Sequence, residues 1–227
     1  MKKPSKESSG WLFPTTLVPI ILAIISLIGS ILNTILNRET ATELQLSRQE
    51  FSLITRDLGF AMNENKRYKR ARTLLEIALR HSPNDGDIHS SLGYSHLCIG
   101  LEESGVNRLK AKIHFEEAVK HYEEALKLEG EIAAAANQSN LGRAFLELAK
   151  LDEAEDNLLQ AQKVYYQNWD LMAQLGRLYL LKNDHQNAIK WLNDARTLWA
   201  QSNPGQRNEY LDNLIVQAQE LAGAAHK

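Results

Sequence analysis

The amino-acid sequence predicts an all-α protein: a solenoid of four helical hairpins, preceded by one transmembrane helix and closed by a C-terminal capping helix. Three observations support this prediction. A Leu-Gly pair occurs four times, with glycines that are 34, 49 and 34 residues apart. Alanines recur in register with these glycines, and residues 18–36 contain no charged side chain. Self-similarity at a period of roughly 20–50 residues is typical of repeat architectures, whose core grows with each added unit.

The composition argues against several classes of function. The 227 residues include 26 Lys and Arg against 28 Asp and Glu, a net charge of -2, and this balance gives no support to a nucleic-acid partner. Because Cys98 is the single cysteine, neither an intramolecular disulfide nor a Cys/His zinc pattern is available. The sequence contains no P-loop, dinucleotide-binding fingerprint, nucleophile elbow or HExxH motif. We therefore predict no enzyme activity, no catalytic residue, no cofactor and no metal site.

Histidines come closest to a metal-binding pattern. On predicted helices, His114, Glu117 and His121 share one face, while His89 and His96 share another. Neither set has a third strong ligand at a recognised spacing. We predict that these histidines are packing or surface side chains.

An apolar segment follows the N-terminal flank at residues 1–17. It runs from Val18 to Leu36, 19 residues, and as a helix would be roughly 28 Å long, close to the hydrocarbon thickness of a bilayer. A cleaved signal peptide is the alternative. The apolar run is long, however, and the sequence Ile-Gly-Ser at 28–30 is a poor cleavage site. We therefore expect a retained, single-pass membrane anchor.

Basic residues near the segment indicate its orientation. Lys2, Lys3 and Lys6 precede it, and Arg38 and Arg48 follow it. The positive-inside rule then favours a cytoplasmic N-terminus. The excess is small, so the side of the membrane on which the repeats lie stays open.

Residues 37–51 separate the apolar segment from the first repeat. They contain no Pro or Gly and are rich in Glu, Gln, Leu and Arg, which are good helix formers. The sequence predicts a helical stalk over 37–51. A kink near Asn37 is the alternative.

Four repeat units follow when each is numbered so that the Leu-Gly pair occupies positions seven and eight. Their ranges are 52–85, 86–134, 135–168 and 169–202. Position eight is Gly59, Gly93, Gly142 and Gly176, and position 27 is Ala78, Ala125, Ala161 and Ala195. Small residues at such positions let two helices approach closely, while large residues fill the space beside them.

These recurring positions resemble the tetratricopeptide repeat family, whose pattern is W-x2-L-G-x2-Y followed by Ala, Phe, Ala and Pro. The resemblance covers about two-thirds of the chain. It implies a right-handed superhelical solenoid in which the first helices of the hairpins line a concave groove. The sequence departs from the pattern at the tryptophan position, which holds Thr55, His89, Gln138 and Met172. The closing proline is present only in the first unit, as Pro83.

The second unit is 15 residues longer than the others. Most of the excess lies near Gly100–Ile113, between its two predicted helices. An insertion in a repeat often forms a functional loop. The alternative is that both helices are longer and the loop stays short. We favour this alternative because Leu97, Leu101 and Leu109 have apolar spacing compatible with helix.

The C-terminal segment, 203–227, begins with a break at Asn203-Pro204-Gly205. Apolar residues then recur at helical spacing. A solenoid needs a terminal helix with a polar outer face. We predict that this segment is the capping helix and a frayed tail.

The resemblance also implies which positions face the groove. Positions five, nine and 12 supply the predicted partner-binding residues, which are Arg56, Phe60, Asn63, Tyr94, Arg143 and Arg177. The groove would be aromatic at one end and basic at the other. Arginine binds carboxylates well, so this pattern favours an extended or helical peptide with an acidic portion. The alternative is that the arginines pair with local acids such as Glu147.

Together these features predict a membrane-anchored adaptor or assembly factor that binds a protein or peptide partner without chemistry. Small anchored proteins of similar layout include assembly factors for photosystem-type membrane complexes, an analogy of architecture only. Two alternatives stay open: a self-associating structural component of an envelope or secretion machine, and a regulatory subunit of a membrane enzyme. The identity of the partner and the oligomeric state are not predicted.

Overall fold

The computed structural model of the chain describes residues 17–128 and 131–224, and these form nine α-helices and no strand. The predicted all-α class is therefore confirmed for this part of the chain. The helices are α1 Leu17–Glu64, α2 Tyr68–His81, α3 Gly86–Ser104, α4 Arg108–Leu128, α5 Glu131–Glu147, α6 Leu151–Val164, α7 Trp169–Leu181, α8 His185–Ser202 and α9 Glu209–Ala224. The chain divides into two compact units, 1–50 and 51–227.

The first unit contains most of α1. Along residues 27–36 its large apolar side chains are exposed, and they include Leu27, Ile31 and Ile35. Among the described residues, no helix is both long enough and apolar enough to cross a membrane. The transmembrane helix predicted over 18–36 is therefore not supported. The N-terminal flank, and the side chains of 17–22, 24 and 25, lie outside the described residues.

In the second unit, helices pack in chain order as antiparallel pairs. The end of α1 pairs with α2, α3 with α4, α5 with α6, and α7 with α8, while α9 packs on α7 and α8. The first helices also contact one another in sequence, α3 with α5, α5 with α7 and α7 with α9. This arrangement leaves one face of the unit built from first helices alone.

Each hairpin closes on a glycine that meets a large side chain. The partners are Gly59 with Leu75, Gly93 with Tyr122, Gly142 with Leu158, and Gly176 with Leu192. A Cβ atom added at any of these glycines would lie 2.5–2.9 Å from the nearest atom of its partner. The position-27 alanines, Ala78, Ala125, Ala161 and Ala195, are fully buried in the same seams. These small residues bring the paired helices together, since any added carbon would overlap a neighbour.

The second hairpin is longer than its neighbours. Helices α3 and α4 have 19 and 21 residues, against 17 and 14 in α5 and α6. The loop between them is only 105–107, and Gly100 packs against the ring of Phe115, where an added Cβ would lie 2.5 Å away. The extra residues of the second unit therefore lengthen both helices rather than forming a large loop.

The loops of the other three hairpins share one backbone geometry. Lys66, Ala149 and Asn183 occupy position 15 of their units, and their φ angles are 56°, 57° and 60°. In each loop this residue donates its N–H to the carbonyl three residues earlier, and the next residue donates to a carbonyl five residues earlier. Such bonds satisfy the last carbonyls of a helix. The second hairpin differs, because Gly105 has a φ of -79°.

Candidate functional site

The face built from first helices is held together by buried polar side chains. The Asn63 amide donates to the backbone oxygen of Ser91 at 3.0 Å and accepts from the Ser95 hydroxyl at 2.8 Å. One helix further on, the Ser90 hydroxyl donates to Asn137 Oδ1 at 2.7 Å. These bonds connect α1 to α3 and α3 to α5. Because a buried polar group without a partner is costly, they define the spacing of neighbouring first helices.

Two depressions lie on this face, and the first is aromatic. Its volume is about 470 Å³ and its lining includes Phe60, Asn63, Tyr68, Tyr94 and Asn140. Tyr94 is 39% exposed, and its ring meets the Tyr68 ring edge-on, with centroids 5.9 Å apart. We call this the aromatic depression. Aromatic rings of this kind offer a large apolar contact surface at a low cost in conformational entropy.

The second depression, which we call the arginine depression, is formed by three successive first helices. Its volume is about 310 Å³. It is lined by Arg143 from α5, by Trp169, Asp170, Ala173, Gln174 and Arg177 from α7, and by Asn208 and Tyr210 at the start of α9. Two guanidinium groups, two aromatic rings and the Asp170 carboxylate, which accepts a hydrogen bond from Gln174 Nε2 at 3.1 Å, thus surround one opening.

The two arginines of this depression differ in their electrostatics. Arg177 Nη1 lies 2.6 Å from Glu147 Oε1. Burial opposes the charge of Arg177, but the hydrogen bond and attraction from Glu147 outweigh it and raise the pKa of the guanidinium. Its charge is therefore matched inside the protein. Arg143 belongs to no ion pair among the described residues.

The repeat itself explains this difference. Glu147 stands at position 13 of the third unit, one unit before Arg177. The same position of the second unit, one unit before Arg143, holds Cys98. Burial raises the pKa of the Cys98 thiol, so it stays protonated at neutral pH and offers Arg143 no negative charge. Arg143 can therefore donate hydrogen bonds to a carboxylate from outside the chain.

The six predicted groove residues fall into three groups. Phe60, Asn63 and Tyr94 line the aromatic depression, and Arg143 and Arg177 line the arginine depression. The amide of Asn63 is already used within the fold. Arg56 lines neither opening: it pairs with Asp57 at 3.1 Å and Asp85 at 3.5 Å, and its guanidinium lies over the Phe60 ring. Their role in binding a partner stays a prediction.

Sequence reasoning missed three aromatic residues of these depressions, Tyr68, Trp169 and Tyr210. Each lies at or near the start of its helix, where the repeat pattern assigns no groove position. Tyr210 belongs to the segment predicted only as a cap. The available signal was their type, because Trp and Tyr are enriched at binding surfaces.

Comparisons with known proteins agree with this architecture. A family profile described as tetratricopeptide repeat matches residues 139–203. No curated protein sequence matches the chain significantly. Among solved structures, the MamA protein is similar over 77% of this chain and 84% of its own, with 21% identity and a TM-score of 0.59.

Two further structures show the same fold. MamA from residue 41 to its end, from Desulfovibrio magneticus RS-1, is similar over 77% of this chain and 96% of its own, with 14% identity and a TM-score of 0.53. The human IFIT1 dimer with PPP-AAAA is similar over 75% of this chain and 38% of its own, with 19% identity and a TM-score of 0.58. At such identities the likeness concerns the fold alone. The profile and these structures together support the tetratricopeptide-repeat assignment.

Proposed function

We propose that this chain, a helical-repeat protein of the tetratricopeptide type, is an adaptor that binds a segment of another protein along its first helices. One observation carries the proposal: Arg143 forms no ion pair with a described residue and lines the arginine depression together with Trp169 and Tyr210. A guanidinium that forms no ion pair, with aromatic rings beside it, suits a carboxylate that is accompanied by an apolar side chain. The partner is therefore an acidic protein segment, and it binds non-covalently.

A photo-crosslinking experiment tests this proposal. We expect p-benzoylphenylalanine at position 210 or 94, in cells that express the full-length chain, to give a discrete adduct with one protein. The same group at Tyr166, which is 60% exposed and outside both depressions, is the matched control and should not give it. Arg143→Ala should lower the adduct yield at position 210 by at least about tenfold, because loss of a charge-assisted hydrogen bond usually weakens binding by that factor or more.

The control for this substitution is Arg196→Ala, which removes an exposed arginine on α8 and should leave the yield unchanged. Equal yields from Arg143→Ala and the unmodified chain would show that Arg143 does not bind a carboxylate of the partner. An adduct between two copies of this chain would favour the self-associating structural component. An adduct with an enzyme would favour the regulatory subunit.

Membrane attachment is a separate part of the proposal. It is supported by the sequence of 18–36, which has no charged residue, and by exposed apolar side chains along 27–36, including Leu27, Ile31 and Ile35. Contiguous exposed apolar surface of this kind is normally covered by lipid or a partner. In this arrangement the N-terminus is cytoplasmic, and the adaptor acts in the assembly of a membrane complex.

We expect the full-length chain to remain in the membrane fraction after alkaline carbonate extraction. A variant with Ile24→Lys and Ile28→Lys should be released, because each charge at the centre of a spanning helix costs about 2.5–3.5 kcal/mol. The control is Leu44→Lys together with Leu46→Lys, in the predicted stalk. Release of the unmodified chain by carbonate would contradict the anchor, and protease protection of tags at each end reports the orientation.

A further inference from the structure

Four histidines meet at the seam of the second hairpin. His89 and His96 are seven residues apart on α3, and His114 and His121 are seven apart on α4. Because the two helices are antiparallel, His89 faces His121 and His96 faces His114. In both pairs the two Nδ1 atoms are 3.1 Å apart, and the His96 and His121 rings, with centroids 5.7 Å apart, connect the pairs. We call these residues the histidine ladder. The spacing along the sequence shows only that His89 and His96 share one helical face and that His114 and His121 share another.

The hydrogen bonds define the protonation state of the ladder. His89 Nε2 lies 3.1 Å from the carbonyl oxygen of Pro83. A carbonyl can only accept, so Nε2 carries the hydrogen and the neutral ring has a bare Nδ1. His121 Nδ1–H then donates to it. In the pair of His96 and His114, one Nδ1 must likewise donate and the other accept. Each pair is satisfied only while at least one of its rings is neutral.

The surroundings disfavour added protons. Burial, followed by repulsion from His121 and His114, lowers the pKa of His96 to about 3. Burial, followed by repulsion from His89, lowers the pKa of His121 to about 4. Burial also lowers the pKa of His114. The charged groups that face the ladder are Lys69 and Arg72 from α2, Glu103 from α3, and Glu117, Lys120 and Glu124 from α4. The three carboxylates raise the histidine pKa values, but they offset only part of the lowering that burial causes.

Hydrogen bonding explains the close Nδ1 pairs better than metal binding does. Among the described residues, no three His, Cys, Asp or Glu side chains converge as a metal site would require. Each nitrogen pair therefore has a complementary donor and acceptor, and the described side chains offer no third ligand beside it.

We propose that the histidine ladder is an acid-sensitive clamp, which holds α3 against α4 at neutral pH and releases the second hairpin as the medium becomes acidic. An opened hairpin exposes its histidines, which then titrate near their ordinary pKa of about 6.5. The closed hairpin binds fewer protons than the open one below that pH. Its stabilisation is therefore complete above about pH 6.5 and is lost progressively as the pH falls towards the pKa values of His121, about 4, and His96, about 3.

Hydrogen exchange of the full-length chain, measured at about pH 7.5 and about pH 5 and corrected for intrinsic rates, tests the clamp. A histidine whose pKa is about 6.5 in the open hairpin and about 4 in the closed one changes the opening equilibrium roughly 30-fold between these two pH values. We therefore expect opening of residues 86–128 to rise at least about tenfold at the lower pH. Helices α5 and α6 contain no histidine and serve as the internal control. An equal response in both hairpins would overturn the proposal.

Variants of the ladder isolate its contribution. His96→Asn combined with His114→Asn leaves an amide pair that can donate and accept but cannot titrate. The factor by which opening of 86–128 rises between about pH 7.5 and about pH 5 should therefore be at least about tenfold smaller than in the unmodified chain, and His121, which the variant keeps, supplies the remaining response. The control, His81→Gln, removes an exposed histidine outside the ladder and should leave the response unchanged.

A direct titration keeps the proposal testable even where the double variant fails to fold. In NMR spectra of the unmodified full-length chain, at least two histidine rings should remain neutral at about pH 5.5. Titration of every ring near about pH 6.5 would overturn the clamp.

Discussion

Replacing Gly142 by leucine is expected to lower the free energy of unfolding by about 1–3 kcal/mol or more, the usual cost of overpacking a core. A Cβ at this position would lie 2.6 Å from Leu158 Cγ and 3.2 Å from the backbone oxygen of Ala154. The Leu158 side chain can shift, but the Ala154 carbonyl is held in place by the backbone of α6. Removal of a helical glycine returns only about 1 kcal/mol through helix propensity.

Urea or thermal unfolding of the full-length chain measures this effect. The matched control is Gly223→Leu, at a helical glycine with nothing within 4 Å of an added Cβ, and this variant should be as stable as the original chain or slightly more so. A melting temperature for Gly142→Leu equal to that of the control would mean that α5 and α6 do not meet at this glycine.

Removal of the Tyr122 ring should cost more. Tyr122 is fully buried and fills the seam opposite Gly93, whose added Cβ would lie 2.9 Å from the ring. Tyr122→Ala leaves a large cavity in that seam and should lower the free energy of unfolding by about 3–5 kcal/mol. The same unfolding measurement applies.

Tyr122→Phe is the matched control, because it keeps the ring and removes only the hydroxyl. That hydroxyl has no hydrogen-bond partner among the described residues, so its loss should leave stability unchanged or raise it slightly. Similar losses for the alanine and phenylalanine variants would show that the hydroxyl, rather than the ring, stabilises the second hairpin.

The features that sequence predicted are those that depend on spacing within one unit. Gly142 and Ala161 are 19 residues apart, and the hairpin brings both into one seam whatever the rest of the chain does. The all-α class follows from the same periodicity. The longer helices of the second unit follow from apolar residues such as Leu101, which continue the helical pattern beyond the usual hairpin length.

The features that sequence could not predict depend on register between elements. The histidine ladder requires that α3 and α4 extend together, so that His96 meets His114, and spacing along either helix alone does not specify this. Likewise Arg143 and Arg177 occupy the same repeat position, but only the second meets an acid, which the preceding unit supplies. The left-handed backbone at Ala149 was also unpredictable, because the residue is neither Gly nor Asn.

The common loop geometry of the first, third and fourth hairpins makes them exchangeable parts for protein engineering. Their turns are closed by backbone hydrogen bonds, and the central residue is a different amino acid in each, so joining two such units needs no particular side chain at the turn. A longer array can therefore be built by duplicating the 34-residue segment 135–168. The second hairpin is not exchangeable in this way, since its loop has a different backbone geometry, its glycines pack against Tyr122 and Phe115 rather than leucine, and it contains the histidine ladder.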